Sequence, residues 1–145
     1  KIIKKRFLDF SLTNIINLPS LIKNKNDFYI YEQNKSIPNY ISFKKATGKI
    51  ISIRNKTIIK NNPTKELKEK IVLIESADPG YDWLFRYDIK GLITKFGGAN
   101  SHMAIRSAEK NLPAAIGVSE NLYNNLSFAN IIKIDCKNKI IEIIK

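Results

Sequence analysis

Cysteine, histidine, methionine and tryptophan each occur once in this chain of 145 residues. One cysteine excludes a disulfide framework. Cys136 follows Asp135 in a polar turn, with no His or second Cys near it in sequence, and reads as an inert thiol of an intracellular protein. Five prolines and six glycines are too few for a fibrous or low-complexity chain. Long apolar runs are missing too. The longest, such as Ile71 to Ile74, fall far short of the ~20 residues that span a bilayer as a helix, so no membrane partner is expected. The first ten residues are basic but lack the apolar centre and small-residue cleavage site of a secretory signal, which points to a cytoplasmic protein. The chain opens on Lys1 rather than Met, so we expect it to be cut from a longer protein. No P-loop pattern and no metal-ligand spacing occur; no metal and no bound cofactor are expected in this domain.

What is present suits one globular domain: 43% hydrophobic, 26% charged and 10% aromatic residues can bury a core. The net charge is +12 and unevenly spread: residues 1–70 hold 16 basic and 5 acidic side chains, residues 71–145 hold 9 and 8. The surplus is nearly all Lys, scattered among Asn and Ile with no basic-aromatic ladder. This pattern describes a solvated surface, and no nucleic-acid partner is expected.

Residues 1–35 read as a separate arm. A loose helical stripe from Phe7 to Leu18 ends before Pro19, and Asp27 to Tyr31 is a short strand. A turn at Ser36 to Asn39 leads into a strand at Tyr40 to Phe43. Lys49 to Ile53 and Lys56 to Ile59 read as a hairpin around Arg54-Asn55. Asn62 caps a short helix running from Pro63 through Glu69. The continuous apolar run Ile71 to Ile74 has the length of a buried strand. Asp78-Pro79-Gly80 interrupts it before a helix-compatible stretch, Tyr81 to Arg86. A strand at Gly91 to Thr94 precedes a helix over 101–110 that offers Met103, Ile105 and Ala108 to an inner face, and Pro113 ends it. Ala114 to Ile116 is a short strand, and Ile131 to Ile134 with Ile140 to Ile144 form a terminal hairpin. Strands and helices alternate from residue 71 onward, which is the α/β pattern.

Chemistry concentrates around His102. Four of the six glycines, Gly91, Gly97, Gly98 and Gly117, fall between residues 91 and 117, where they allow sharp turns and close approach. His102 stands at the start of the helix behind Gly97-Gly98, where unpaired N–H groups favour phosphoryl oxygens. A helix start disfavours a cationic ring, and the neutral imidazole carries the lone pair a nucleophile needs. Taken alone, a single His is more often a capping or packing residue, and Gly-Gly is often only a turn.

The longer string changes the balance. Gly91-Leu-Ile-Thr94, then Gly97-Gly98, then Asn100-Ser101-His102-Met-Ala104-Ile105, Glu109 and Leu112-Pro113-Ala114-Ala-Ile-Gly117 stand in order. This resembles the phosphohistidine swivelling domain of phosphoenolpyruvate-utilising enzymes. The family's pattern is G-I-V-T, two spacers, G-G, one variable residue, T-S-H, a small-residue helix and G-I-P-A-V-V-G. Its members include phosphoenolpyruvate synthase, pyruvate phosphate dikinase, the first enzyme of the sugar phosphotransferase system and rifampicin phosphotransferase. Upstream, Asp78 to Phe85 is similar to the D-P-G-W-x-P-L-F stretch of synthase-like members, and Thr47 to Ile50 resembles the family's first strands. The likeness is strongest over 71–117, extends over 37–145 and leaves out residues 1–35.

The resemblance implies a three-layer β/β/α swivelling domain over 36–145, preceded by an arm or domain remnant at 1–35. It implies a phosphotransferase in which His102 is transiently phosphorylated and shuttles the group between separate active sites. By the same likeness Thr94 and Ser101 are catalytic hydroxyls, and Gly97, Gly98 and Asn100 position phosphate. Mg²⁺ and ATP or phosphoenolpyruvate are then expected at neighbouring domains. The expected partners are an ATP-grasp nucleotide-binding domain and an acceptor or substrate domain of the same protein or complex. Asn100 departs from the family's Thr, Met103 from a small residue, and Ala108 from an Arg. Arg106 lies two positions before Ala108, about 200° away round a helix, so either a partner domain provides the missing charge or turnover differs from the better-known relatives. The alternative is an inactive basic module that keeps the fold and uses its Lys-rich first half to bind an anionic partner.

Overall fold

Ile71, Val72, Leu73 and Ile74 are all fully buried, and only a strand covered on both faces buries consecutive side chains in this way. The structure, a computed structural model, describes residues 37–53 and 63–145. The expectations for residues 1–35, for Lys56 to Ile59 and for Asn62 as a cap lie outside the described residues. In order along the chain stand β1 (Asn39–Ile41), β2 (Lys45–Ile53), α1 (Pro63–Leu67), β3 (Ile71–Ser76), a 3₁₀ helix (Pro79–Arg86) and β4 (Gly91–Phe96). Then follow α2 (His102–Glu109), β5 (Ala114–Ile116), α3 (Glu120–Phe128), β6 (Ile131–Asp135) and β7 (Ile140–Ile143).

The strands form one sheet in the order β1-β5-β4-β3-β2-β6-β7. Strands β2 to β5 pair in parallel; β1 on β5, β6 on β2 and β7 on β6 pair antiparallel. Strand β2 serves both regions, because Lys45 to Lys49 pair with β6 while Ile50 to Ile53 pair with β3. The alternating side chains of β3 divide between two cores. Val72 and Ile74 pack with Leu67 of α1, Leu84 and Phe85 of the 3₁₀ helix, and Met103 and Ala104 of α2. Ile71 and Leu73 pack with Tyr123 and Leu126 of α3 and Ile132 and Ile134 of β6. The protein is therefore of the α/β class. Among the described residues, no helix is long and apolar enough to cross a membrane.

Several elements differ from their sequence-based outline. Helix α2 buries Met103, Ala104 and Ser107, whereas Ile105 is 51% exposed and Ala108 faces outward. The reason is rotation: Ile105 lies about 200° round the helix from Met103, so the two cannot share an inner face. Helix α3 has no counterpart in the sequence reading, since its Asn-rich stretch buries only Tyr123 and Leu126 and shows little apolar periodicity. Its N-cap, Ser119, accepts a hydrogen bond from the Leu122 N–H at 3.3 Å. Cys136 stands in the turn after β6 as expected and is buried there, its thiol 3.6 Å from the Ala114 carbonyl. Burial pushes this thiol up from its ordinary pKa, in keeping with an unreactive group.

The β6–β7 hairpin depends on Asp135. Its carboxylate meets Lys45 Nζ at 2.7 Å and accepts from the Asn138 backbone N–H at 3.0 Å and side-chain amide at 2.9 Å. These contacts, Lys45 foremost, hold the carboxyl at about 2 against an ordinary 3.8. A depressed pKa contributes stability above the unfolded value and loses it as pH falls through the folded one. Asp135→Asn is expected to lower the neutral-pH melting temperature. It is also expected to flatten the loss of stability between about pH 4 and pH 2, as read by thermal unfolding across that range.

Candidate functional site

The parallel register aligns Ile74, Thr94 and Ile116, so the loops leaving β4 and β5 emerge side by side. Thr94 ties them together. Its hydroxyl donates to the Phe96 carbonyl at 2.9 Å and accepts from the Gly117 N–H at 3.1 Å, and its carbonyl accepts from the N–H groups of Gly117 and Val118. Thr94 is fully buried. Thr94 clamps the two loops from beneath. Burial spends its hydrogen-bonding capacity inside the protein.

Two glycines complete the clamp. Gly97 has φ +133°, and a Cβ there would sit 2.5 Å from the Ala77 Cβ; Gly117 has φ +74°, and a Cβ there would sit 2.4 Å from the Gly97 carbonyl oxygen. Gly98 differs, since a Cβ there would meet nothing within 4 Å. Residues 97–100 form an exposed loop that ends at Ser101, the N-cap of α2. Ser101 makes no side-chain cap, and its buried Oγ has no hydrogen-bond partner. The first N–H groups of α2 therefore gain nothing from Ser101 Oγ.

His102 is the first residue of α2, with its side chain 38% exposed. Its Nε2 lies 2.9 Å from Oδ1 of Asp82, and Nε of Arg106 reaches the same oxygen at 3.0 Å. Arg106 also bonds Glu109, and its guanidinium stands 5.8 Å from the centre of the Phe85 ring. Four residues separate His102 from Arg106, so both project from one side of the helix. Asp82 arrives from the 3₁₀ helix, which Leu84 and Phe85 anchor against Met103 and Ala104. Hydrogen bonds from His102 first, then from Arg106, hold the Asp82 carboxyl below its ordinary pKa. Glu109 first, then Asp82, raises the pKa of Arg106 further. An ionised carboxylate only accepts, so the contact requires the proton on Nε2.

His102, Ser101, Gly97, Gly98 and Asn100 thus share one exposed corner, with Thr94 buried below it. Sequence reasoning missed Asp82 and set Arg106 aside. For Arg106 the informative signal is its position four residues after His102, one turn along the helix. For Asp82, twenty residues before His102, no local signal exists. Among the described residues, no three His, Cys, Asp or Glu side chains gather to hold a metal ion. A cavity of about 290 Å³ lined by Phe85, Tyr87, Asp88, Ile89, Lys110 and Leu112 includes none of the site residues.

A family model described as the mobile domain of phosphoenolpyruvate-utilising enzymes matches residues 67–139, a span that takes in every site residue. The chain belongs to this family. Membership places the domain in a phosphotransferase context. No curated protein matches the chain. Among solved structures it resembles the solution NMR structure of a UPF0107 protein, with a TM-score of 0.57 and 13% identity over 75% of this chain and 98% of that one. At that identity the likeness concerns the fold alone.

Proposed function

We propose that this mobile domain is the phosphoryl carrier of a phosphoenolpyruvate synthase- or dikinase-like phosphotransferase. His102 accepts a phosphoryl group at one active site and delivers it at another. The observation that carries this reading is a half-exposed, solitary His102 at the start of α2, behind an exposed glycine loop. A ring nitrogen forms the P–N bond while the donor's P–O bond breaks and its electron pair leaves with the donor oxygen. The transition state is loose, so the domain's task is to place the ring and to neutralise oxygen charge. Gly98 and Asn100 would offer loop N–H groups and the Asn100 amide to those oxygens; Thr94 would hold the loop in register.

As a carrier, the domain has the three-layer swivelling architecture and works between an ATP-grasp domain and an acceptor domain, with Mg²⁺ and nucleotide or phosphoenolpyruvate bound by those neighbours. Exposed apolar side chains near the loop, Phe96 at 58% and Ile105 at 51%, support docking against such domains.

The test supplies ATP labelled at the β- or γ-phosphate, or labelled phosphoenolpyruvate, to the parent protein. Acid-labile, alkali-stable label on His102 identifies both carrier and donor. Absence of label from every donor, in a folded parent that binds nucleotide, would overturn the reading. Gly98→Ala gives a finer check. With open space around the added methyl, unfolding stability should change by no more than about 0.5 kcal/mol. Labelling should nevertheless slow by about 10- to 100-fold, because the methyl stands where the phosphoryl group must approach.

A further inference from the structure

One carboxylate oxygen, Oδ1 of Asp82, lies 2.9 Å from His102 Nε2 and 3.0 Å from Arg106 Nε. A phosphoryl group on Nε2 would take the place that Asp82 now covers and would call for a cation to meet its oxygens. We propose that Asp82 is an exchangeable anion holding the place of the phosphoryl group, and that Arg106 is the cation that binds the group once Asp82 is displaced. This rests on the carrier reading of His102. Arg106 then supplies, from the next turn of the same helix, the charge that Ala108 lacks.

Three features favour exchange over a permanent lock. The pair is half open, with Asp82 44% and Arg106 34% exposed, so water can replace either partner. Asp82 rides on a 3₁₀ helix, whose strained hydrogen bonds make it easier to shift than an α-helix of that length. Arg106 is steadied by contacts that do not involve Asp82, namely Glu109 and the Phe85 ring, so it stays in place when the carboxylate leaves. In the resting contact the ring proton sits on Nε2. When Asp82 leaves, that proton passes to water, Nδ1 takes one up, and the freed Nε2 lone pair attacks phosphorus. With phosphoramidate as donor, the P–N bond of the donor breaks with its electron pair on nitrogen, which departs as ammonia. A phosphoryl group beside Asp82 repels it, while Arg106 attracts the same oxygens.

Potassium phosphoramidate, a small donor needing no partner domain, tests this on the whole chain by initial rates of His102 phosphorylation followed by phosphorus NMR. Arg106→Gln should be labelled at least tenfold more slowly, and Arg106→Lys should recover part of the loss. Asp82→Ala should be labelled several-fold faster. The double variant should be as slow as Arg106→Gln, since Asp82 acts by occupying Arg106 and His102 together. Labelling of Arg106→Gln within twofold of the unaltered chain overturns the proposal, as does slower labelling of Asp82→Ala, which would make the carboxylate a ring-positioning group. If His102 is labelled normally while Arg106 proves indifferent, the exchange fails and the carrier reading stands. If the unaltered chain takes no label from phosphoramidate or in its parent, both fall.

Discussion

His102→Ala is expected to reduce phosphoryl transfer through the parent protein by a factor on the order of 10³ or more, while the domain stays folded. This chain holds no second histidine to take over the covalent step. The fold should survive because the ring lies outside the two core clusters, is 38% exposed and hydrogen-bonds Asp82. Stability should therefore move by no more than about 1 kcal/mol. His102→Gln is the stricter variant, since its amide can still donate to Asp82 yet cannot form a phosphoramidate. Turnover assays on both variants, with circular dichroism as a check on folding, decide the point. A basic interaction module would respond in the opposite way. It would ignore His102 and weaken with salt and with Lys-to-Glu changes.

Gly117→Ala and Gly97→Ala are expected to be among the most destabilising single methyl additions in the domain. At Gly117 the added carbon meets the Gly97 carbonyl oxygen at 2.4 Å with φ at +74°, and at Gly97 it meets the Ala77 Cβ at 2.5 Å with φ at +133°. Each substitution combines an unfavourable left-hand-side backbone with a clash that only a shift of main chain relieves. A cost of about 2–5 kcal/mol is expected at each. For a domain of this size that lowers the melting temperature by roughly 6–25 °C. Phosphorylation of His102 should fall as well, because the loop that leads into α2 is the part that must move. Thermal unfolding of the two variants beside Gly98→Ala makes a clean comparison, with equal added volume at three neighbouring glycines. Equal melting temperatures for all three would refute the interlocked-loop account.

Much of the strand framework was legible in the sequence. Consecutive apolar residues at Ile71 to Ile74, the breaks at Asp78-Pro79-Gly80 and Pro113, and the terminal hairpin each have a local cause, and each lies where expected. Local signals failed where burial is shared among distant elements. Helix α3 carries too few apolar residues to announce itself, because the strands, β3 and β6 foremost, supply much of the core it rests on. The inner face of α2 was misjudged because Ile105 is apolar yet exposed, which hydropathy cannot distinguish from buried.

By itself the sequence determined the α/β pattern, the family and the placement of a solitary His102 at a helix start behind a glycine loop. These rest on short-range causes: strand-length apolar runs, turn residues and an ordered motif. Only the tertiary structure decided what surrounds the histidine. Packing of the 3₁₀ helix on α2 brings Asp82 to His102 across twenty residues of chain, and the alignment of β4 with β5 turns Thr94 inward to clamp Gly117. Contacts of that kind follow from strand register and helix packing, which are set by the whole core and leave no trace in the spacing of nearby residues.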